Sequence, residues 1–506
     1  MVLLTERYAN QIEGILSCLD RLVITGTLPG ICHARGMESY LRTQATRIFD
    51  YPRFAEPLRD EIRENAERLA QEHGLQIEYI RSLKSFRKED RIQQILERRG
   101  THPGLVHIFS AMESCSCFER RYDRQRNRPY LQGRQGKCLH YYFYFIDPQF
   151  GLCYLRVPTW APFRLQFYCN GHAWLANRLR AEGISFRQLD NAFAQVGDWG
   201  RAQQLADAFP VEHLHRALDG YAARFCPVVD RFETGYHWSL MQVEYATDIA
   251  FRRQRDLRPV YDALVHTAIH AVKPDHVATF LGRPLHPLYA GELGNDFHTR
   301  IEGTRIRHHM GPAAIKMYDK HALVLRIETT VNDVSFFRHH RQVEHRNGTT
   351  ELKLAPVQKT IYSLGPLREL LMAANRRYLC FLSELADPAA GVRQVERLSQ
   401  PVRKNNRPYR GFNLFHGADL ELFRLLARGE WHISGFKNAS LRRLLPGKTG
   451  AQVSRLLQRL RLHGLITKRG LTYKYYLTRL GQQVLITALK LRELVVIPSL
   501  AGILQT

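Results

Sequence analysis

Near the C-terminal end a helical leucine pattern turns abruptly into a strand pattern, and few folds accept that order. Val453, Leu456, Leu457 and Leu460 recur at the i, i+3, i+4, i+7 spacing of one buried helix face. Thr449 and Gln452 precede them as a T-x-x-Q capping box, and Gly464 stops the run. Leu465 to Lys468 and Thr472 to Leu477 then read as two short strands with Arg469-Gly470 at the tip. Upstream, Asp419 is placed to cap a first helix that turns Leu422, Phe423 and Leu426 inward. Trp431-His432-Ile433 reads as a short strand, and Asn438 as the cap of a second helix that Pro446-Gly447 ends. The outward face of the third helix carries Gln452, Ser454, Arg455, Gln458 and Arg459. Arginine reaches guanine edges in bidentate fashion and glutamine does the same with adenine. Lys468, Arg469 and Lys474 make the hairpin basic, which suits contact with phosphate.

This order resembles the winged helix-turn-helix of MarR-type regulators. The segment SRLLQRLRLHGLITKRGLTYKYYLTRLG carries the resemblance, within less than a fifth of the chain. The resemblance implies a DNA reader in which Thr449 and the five outward residues approach the groove and the hairpin grips the backbone. It also implies a homodimer.

The charge agrees with a polyanionic partner. Lys and Arg number 73 against 48 acids, a net charge of +25, with a pI near 9.9. The sequence shows no secretory leader and no apolar stretch long enough to span a bilayer, so a cytoplasmic protein without membrane contact is expected. Nine cysteines, of which only Cys115 and Cys117 lie close together, fit reduced buried thiols.

The remainder reads as an α+β multidomain chain without an internal repeat. Residues 1–102 form a helical N-terminal region: Tyr8, Ile12, Ile15, Leu16 and Leu19 fall on one helical face, and further helices are expected over 54–73 and 88–98. Residues 103–232 form an α+β domain, with strands over 104–118, 139–146, 150–157 and 163–168, then helices near 172–182, 199–209 and 211–225. Residues 233–400 form a second α+β domain. Its expected order is a strand (237–251), a helix (257–272), strands (276–281, 298–306, 313–319, 323–331) and a long helix (366–385). Residues 401–416, basic and proline-containing, read as a linker, and 417–506 as the winged helix-turn-helix.

The second α+β domain carries candidate chemistry. Glu244 and Asp248 share one face of a strand, Tyr318-Asp319-Lys320 ends another, and Arg326 and Glu328 lie on a third. Paired carboxylates hold a divalent cation, a neighbouring tyrosine can attack a phosphodiester, and a basic side chain balances phosphoryl charge. This succession resembles the rolling-circle replication initiators of plasmids and filamentous phages. The resemblance implies Glu244, Asp248 and Glu328 as ligands of Mg2+ or Mn2+, and Tyr318, Lys320 and Arg326 as catalytic groups, with Tyr245 and Tyr289 also available as the nucleophile. No His-hydrophobic-His strand accompanies it, because His213-Leu214-His215 lies in a helical stretch. His339, His340 and His345 cluster further on, as a solvated basic turn.

A polar segment between two strands, ERRYDRQRNRPYLQGRQGK, gathers Arg120, Arg121, Arg124, Arg126, Arg128, Arg134 and Lys137 with Tyr122 and Tyr130 interleaved. On a loop, such residues neutralise a nucleic-acid backbone and stack on bases. Three functions stay open at this point. One is a DNA-binding protein of a mobile element or plasmid that nicks a strand. Another is a transcriptional regulator with a long sensing or oligomerising N-terminal part. The last is an RNA-binding component of a mobile element.

Overall fold

The apolar run at the N-terminus is a strand, not a helix. β1 (Ile12–Thr27) pairs with β9 (His237–Phe251) along its whole length and with β6 (Leu165–Asn170) over its second half. Flanked on both sides, it buries Leu16, Leu19, Leu22, Val23 and Ile24, so apolar residues appear on both faces and mimic a helical stripe. The structure is a computed structural model and describes residues 3–81, 86–284, 293–300, 303–345, 347–385, 398–405, 407–413, 416–468 and 473–497.

One eleven-stranded sheet crosses the boundary that the sequence places between 232 and 233. Its remaining strands are β2 (Ile77–Tyr79), β3 (Gly104–Asp123), β4 (Arg128–Asp147), β5 (Gly151–Pro158), β10 (Leu293–Arg300), β11 (Gly303–Met310), β12 (Ala313–Lys320) and β13 (Val324–Val331). β7 (Phe186–Leu189) and β8 (Ala192–Val196) form a separate hairpin. The sheet order is β10-β11-β12-β13-β9-β1-β6-β5-β4-β3-β2. Each half repeats one plan. A first strand (β1 or β9) leads into helices, and an antiparallel four-strand meander (β3–β6 or β10–β13) then brings its last strand back beside the first. β1 and β9 are antiparallel, so a local two-fold relates the halves. The repeat lies in topology, with no matching repeat of residues along the chain to announce it.

Several boundaries differ from expectation. The segment read as a strand over 276–281 is the helix Pro274–Leu281, with Pro274 in its first turn and Gly282 in a left-handed conformation (φ 66) behind it. The basic segment read as a loop is mostly strand: β3 and β4 continue as a two-stranded arm, and only 124–127 turn. Cross-strand pairing satisfies the arm's backbone, which lets a polar sequence stay extended beyond the core.

The C-terminal part has its own hydrophobic core, including Phe423, Leu441, Val453, Leu457, Leu460, Ile466 and Leu485. Its elements are the helices Gly417–Leu426, Gly429–Ser434, Asn438–Arg443 and Gly450–Leu462, the hairpin Ile466–Lys468/Tyr475–Leu477, and the helix Arg479–Lys490. Trp431-His432-Ile433 is therefore helical, and the extended contact is made instead by Phe436, which bridges to Tyr475. The 401–416 segment is no free linker. Val402–Lys404 and Arg407–Tyr409 pair, and Phe412 is buried in this core. Among the described residues no helix is long and apolar enough to cross a membrane.

Candidate functional site

Strand register assembles the polar cluster at the sheet centre. On β9, Glu244 and Asp248 point to one face. On β13, Thr330 pairs with Glu244, Glu328 with Ala246 and Arg326 with Asp248. On β12, Lys316 pairs with Glu328 and Tyr318 with Arg326. Residues opposite one another share a face, so two carboxylates of β9, two residues of β12 and three of β13 converge. Asp20 joins from β1, at the irregularity between Leu19 and Leu22.

Asp20 lies at a fork in the sheet. β6 ends at Asn170, while β1 continues alone beside β9. The helix Gly171–Ala181 starts in the gap, and a Cβ on Gly171 would come within 2.1 Å of the Leu19 carbonyl oxygen, so only glycine fits. Asn170 caps this helix by accepting from the His172 and Ala173 amides, and its side-chain amide donates to Asp20 at 3.1 Å.

The buried end of the cluster is an ion lock. Arg326 is fully buried, and its Nε and Nη2 donate to the two Asp248 oxygens at 2.6 and 2.7 Å. Its Nη1 donates to Asp20 at 3.2 Å, and its Nη2 also donates to the Asn191 carbonyl of the β7–β8 turn. His172 lies 3.0 Å from Asp20 and 3.6 Å from Asp248. Burial alone would raise both aspartates, but the Arg326 guanidinium, aided by His172, outweighs it and holds each below the usual carboxylate range. Burial would lower His172, yet its contacts with Asp20 and Asp248 raise it.

The outer end is less enclosed. Lys316 Nζ donates to Glu328 at 2.6 Å and to Glu244 at 3.3 Å, and the Tyr318 hydroxyl donates to the other Glu328 oxygen at 2.6 Å. Burial raises Glu244, with Glu328 adding to it, and Lys316 only partly opposes the rise. Burial, then the Glu328 charge, raises Tyr318 well above an ordinary phenol. Lys316 is itself raised, because the two glutamates outweigh its burial. Lys320 turns away from this group, to Asp190 at 3.0 Å and to Asn191.

Ligand atoms of Asp20, Glu244 and Glu328 lie within 4.8 Å of one another. Three carboxylates from three strands form a hard-oxygen set of the kind that Mg2+ or Mn2+ takes. Lys316 supplies the neutralising charge there, and a cation would replace its ammonium. The expected set held Asp248 in place of Asp20. Asp248 stands outside this grouping, with both its oxygens accepting from Arg326, whereas Asp20 belongs both to the carboxylate set and to the Arg326 ion pair. Asp20, His172, Asn191 and Lys316 lie outside the expected set.

The C-terminal residues divide. Thr449 accepts from the Gln452 amide while the Gln452 side chain accepts from the Thr449 amide, the expected capping box. Gln452, Ser454 and Arg455 are exposed and Gln458 is half-buried, with Ser454 held by Asn438 at 2.8 Å. Arg459 is buried, contrary to expectation. It donates to both Asp419 oxygens at 2.6 and 2.9 Å and to the Arg410 and Gly411 carbonyls, and it lies over the Phe412 ring. Asp419 therefore does not cap its helix, which begins after His416; it anchors Arg459. Lys468 lies near the Tyr473 ring and Lys474 is half-buried, while Arg469 lies outside the described residues.

All seven cations of the β3–β4 arm are exposed. Arg120 donates to the Phe49 carbonyl, Arg121 and Arg134 approach Glu119, and Arg126 approaches Asp123. The histidines expected as a basic turn lie on the strand Arg338–Glu344 or just beyond it, with His345 3.3 Å from Glu351. All nine cysteines are free.

No family model, curated protein or solved structure matches the chain. The reading of its function therefore rests on its own residues.

Proposed function

We propose that this chain is a sequence-specific DNA-binding protein of a mobile element or plasmid. In this reading the C-terminal unit is a MarR-like winged helix that lays Gly450–Leu462 in the major groove. The observation that carries it is the division of that helix: Val453, Leu457 and Leu460 are buried, while Gln452 and Arg455 stand in solvent, and Arg442, Arg443 and Lys448 are exposed in the helix and turn that precede it. The net charge of +25 supports a nucleic-acid partner. Selection of bound sequences from a random duplex pool tests the reading. A consensus should emerge, and Arg455→Ala should relax it at one position at a cost of about 1–3 kcal/mol. Recovery of no consensus sinks sequence-specific reading, and retention of structured RNA in preference to duplex favours the RNA-binding alternative.

The acid cluster supports a chemical step on the same DNA. Asp20, Glu244 and Glu328 would hold Mg2+ or Mn2+, which when bound stabilises charge on a phosphodiester. Tyr318 is the nucleophile in this reading. Its proton passes to Glu328, its oxygen bonds to phosphorus, and the phosphorus–oxygen bond to the departing strand breaks. The departing oxygen takes the proton from Glu328. Incubation of single-stranded DNA with either cation should give a covalent adduct that Tyr318→Phe abolishes. An adduct that survives this change overturns Tyr318, and no cleavage by the parent leaves a DNA-binding regulator.

A further inference from the structure

Between the sheet and the C-terminal unit lies a cavity of about 560 Å3, within the roughly 300–1,000 Å3 usual for small-ligand sites. Both units build its wall: Phe280 comes from the Pro274–Leu281 helix, Arg376, Arg377 and Phe381 from the Leu364–Leu385 helix, and Arg479 and Leu485 from the Arg479–Lys490 helix.

Its charge is unbalanced. Among the described residues, no carboxylate forms an ion pair with Arg376, Arg377 or Arg479. Arg377 is half-buried, and its Nε donates to the Phe280 carbonyl at 2.8 Å. Burial, with no acid to oppose it, lowers its guanidinium to about 10. A cation removed from water without a counter-charge is costly, and a bound anion would offset that cost. Glu384 also lines the cavity, with one buried carboxyl oxygen that has no hydrogen-bond partner among the described residues. Burial raises this carboxyl, and Lys490 and, more weakly, Arg479 oppose it only in part, so its protonated form can donate to an anionic oxygen. Phe280 and Phe381, with ring centroids 5.1 Å apart, supply an apolar wall beside these groups.

We propose that this cavity binds a small organic anion with an apolar body, its carboxylate or phosphate end on the three arginines and its body on Phe280, Phe381 and Leu485. The proposal is independent of what the C-terminal unit reads. Titration calorimetry of the full chain with 4-phenylbutyrate, phenyl phosphate and the neutral 4-phenylbutanol tests it. One anion should bind per chain, at least tenfold more tightly than the alcohol, and at least tenfold more weakly to Arg377→Gln and to Arg376→Gln. Arg376 is exposed, so its replacement keeps the fold and decides the matter if Arg377→Gln does not fold. Equal binding of the alcohol, no binding of either anion, or unchanged affinity in Arg376→Gln overturns the proposal.

Discussion

Arg326 joins three strands and the β7–β8 turn at the sheet centre. It balances Asp20 and Asp248, both almost fully buried. Removing the guanidinium leaves two carboxylates in a low-dielectric site, so Arg326→Met should cost about 3–5 kcal/mol in urea unfolding. A change under about 1 kcal/mol would mean that water reaches the pair. The same group makes stability depend on pH in two directions. Asp20 and Asp248 have folded values below their unfolded ones, so their contribution is complete above the ordinary carboxylate range and is lost as pH falls through the folded values. His172 is raised, so its contribution is complete below its unfolded value of about 6.5 and is lost as pH rises through the higher folded value. The urea midpoint should therefore be highest between about pH 4 and 6.5. His172→Asn should remove the decline on the alkaline side and leave the acid side in place. An alkaline decline of parental size in that variant would show that another group causes it.

At the scale of elements, two of the three arginines of the Gly450–Leu462 helix divide between solvent and core. Arg455 is exposed and Arg459 is buried against Asp419. Arg455→Ala should weaken DNA binding and leave the unfolding midpoint unchanged. Arg459→Ala should lower stability by about 3–5 kcal/mol, because it removes the buried partner of a buried carboxylate and leaves it the exposed Arg410 at 3.5 Å. The reverse pattern would place the reading face elsewhere on the helix. The β3–β4 arm gives a different signature: Arg124→Glu/Arg126→Glu/Arg128→Glu should flatten the dependence of log K on log salt by about 0.9 for each phosphate that is no longer neutralised. An unchanged slope with a normal melting curve would remove the arm from the nucleic-acid surface. These contrasts mark what the sequence shows. Val453, Leu457 and Leu460 announce the C-terminal core through their spacing alone, and β9, β12 and β13 stand out as β-branched and apolar runs between turns. Arg459 does not announce its burial, because its partner is forty residues away in sequence. The arm reads as a loop because its strands bury little and are held by each other. Asp20 is a single acid in a run buried from both sides, and nothing local tells a strand of that kind from a helix.

At the scale of the molecule, the two cores make separate claims to stability. The C-terminal residues from Leu398 onward enclose their own apolar cluster, so a fragment spanning 398–506 should unfold cooperatively by itself. A featureless melt would mean that the packing around the cavity holds it together. The sheet cannot be divided so simply, although its halves repeat one plan. Counted from the strand starts, Val23 on β1 and Asp248 on β9 hold the same place. Each pairs with the last strand of its meander, at Tyr168 or Arg326, and those residues pair with Tyr154 and Tyr318. Tyr154-Leu155-Arg156 thus stands where Tyr318-Asp319-Lys320 stands, but Tyr168 and Asn170 replace Arg326 and Glu328, which leaves the first half without counterparts of Asp248 and Glu328. The join between the halves also governs how the chain is made. Ile12 meets Phe251, so on the ribosome the leading strand waits for its neighbour through roughly ten to fifty seconds of translation at about 5–20 residues per second. During that interval an oily ribbon with one unpaired edge invites another nascent chain, and chaperone supply or slowed elongation should govern the yield of soluble protein more strongly than the stability of the finished molecule does.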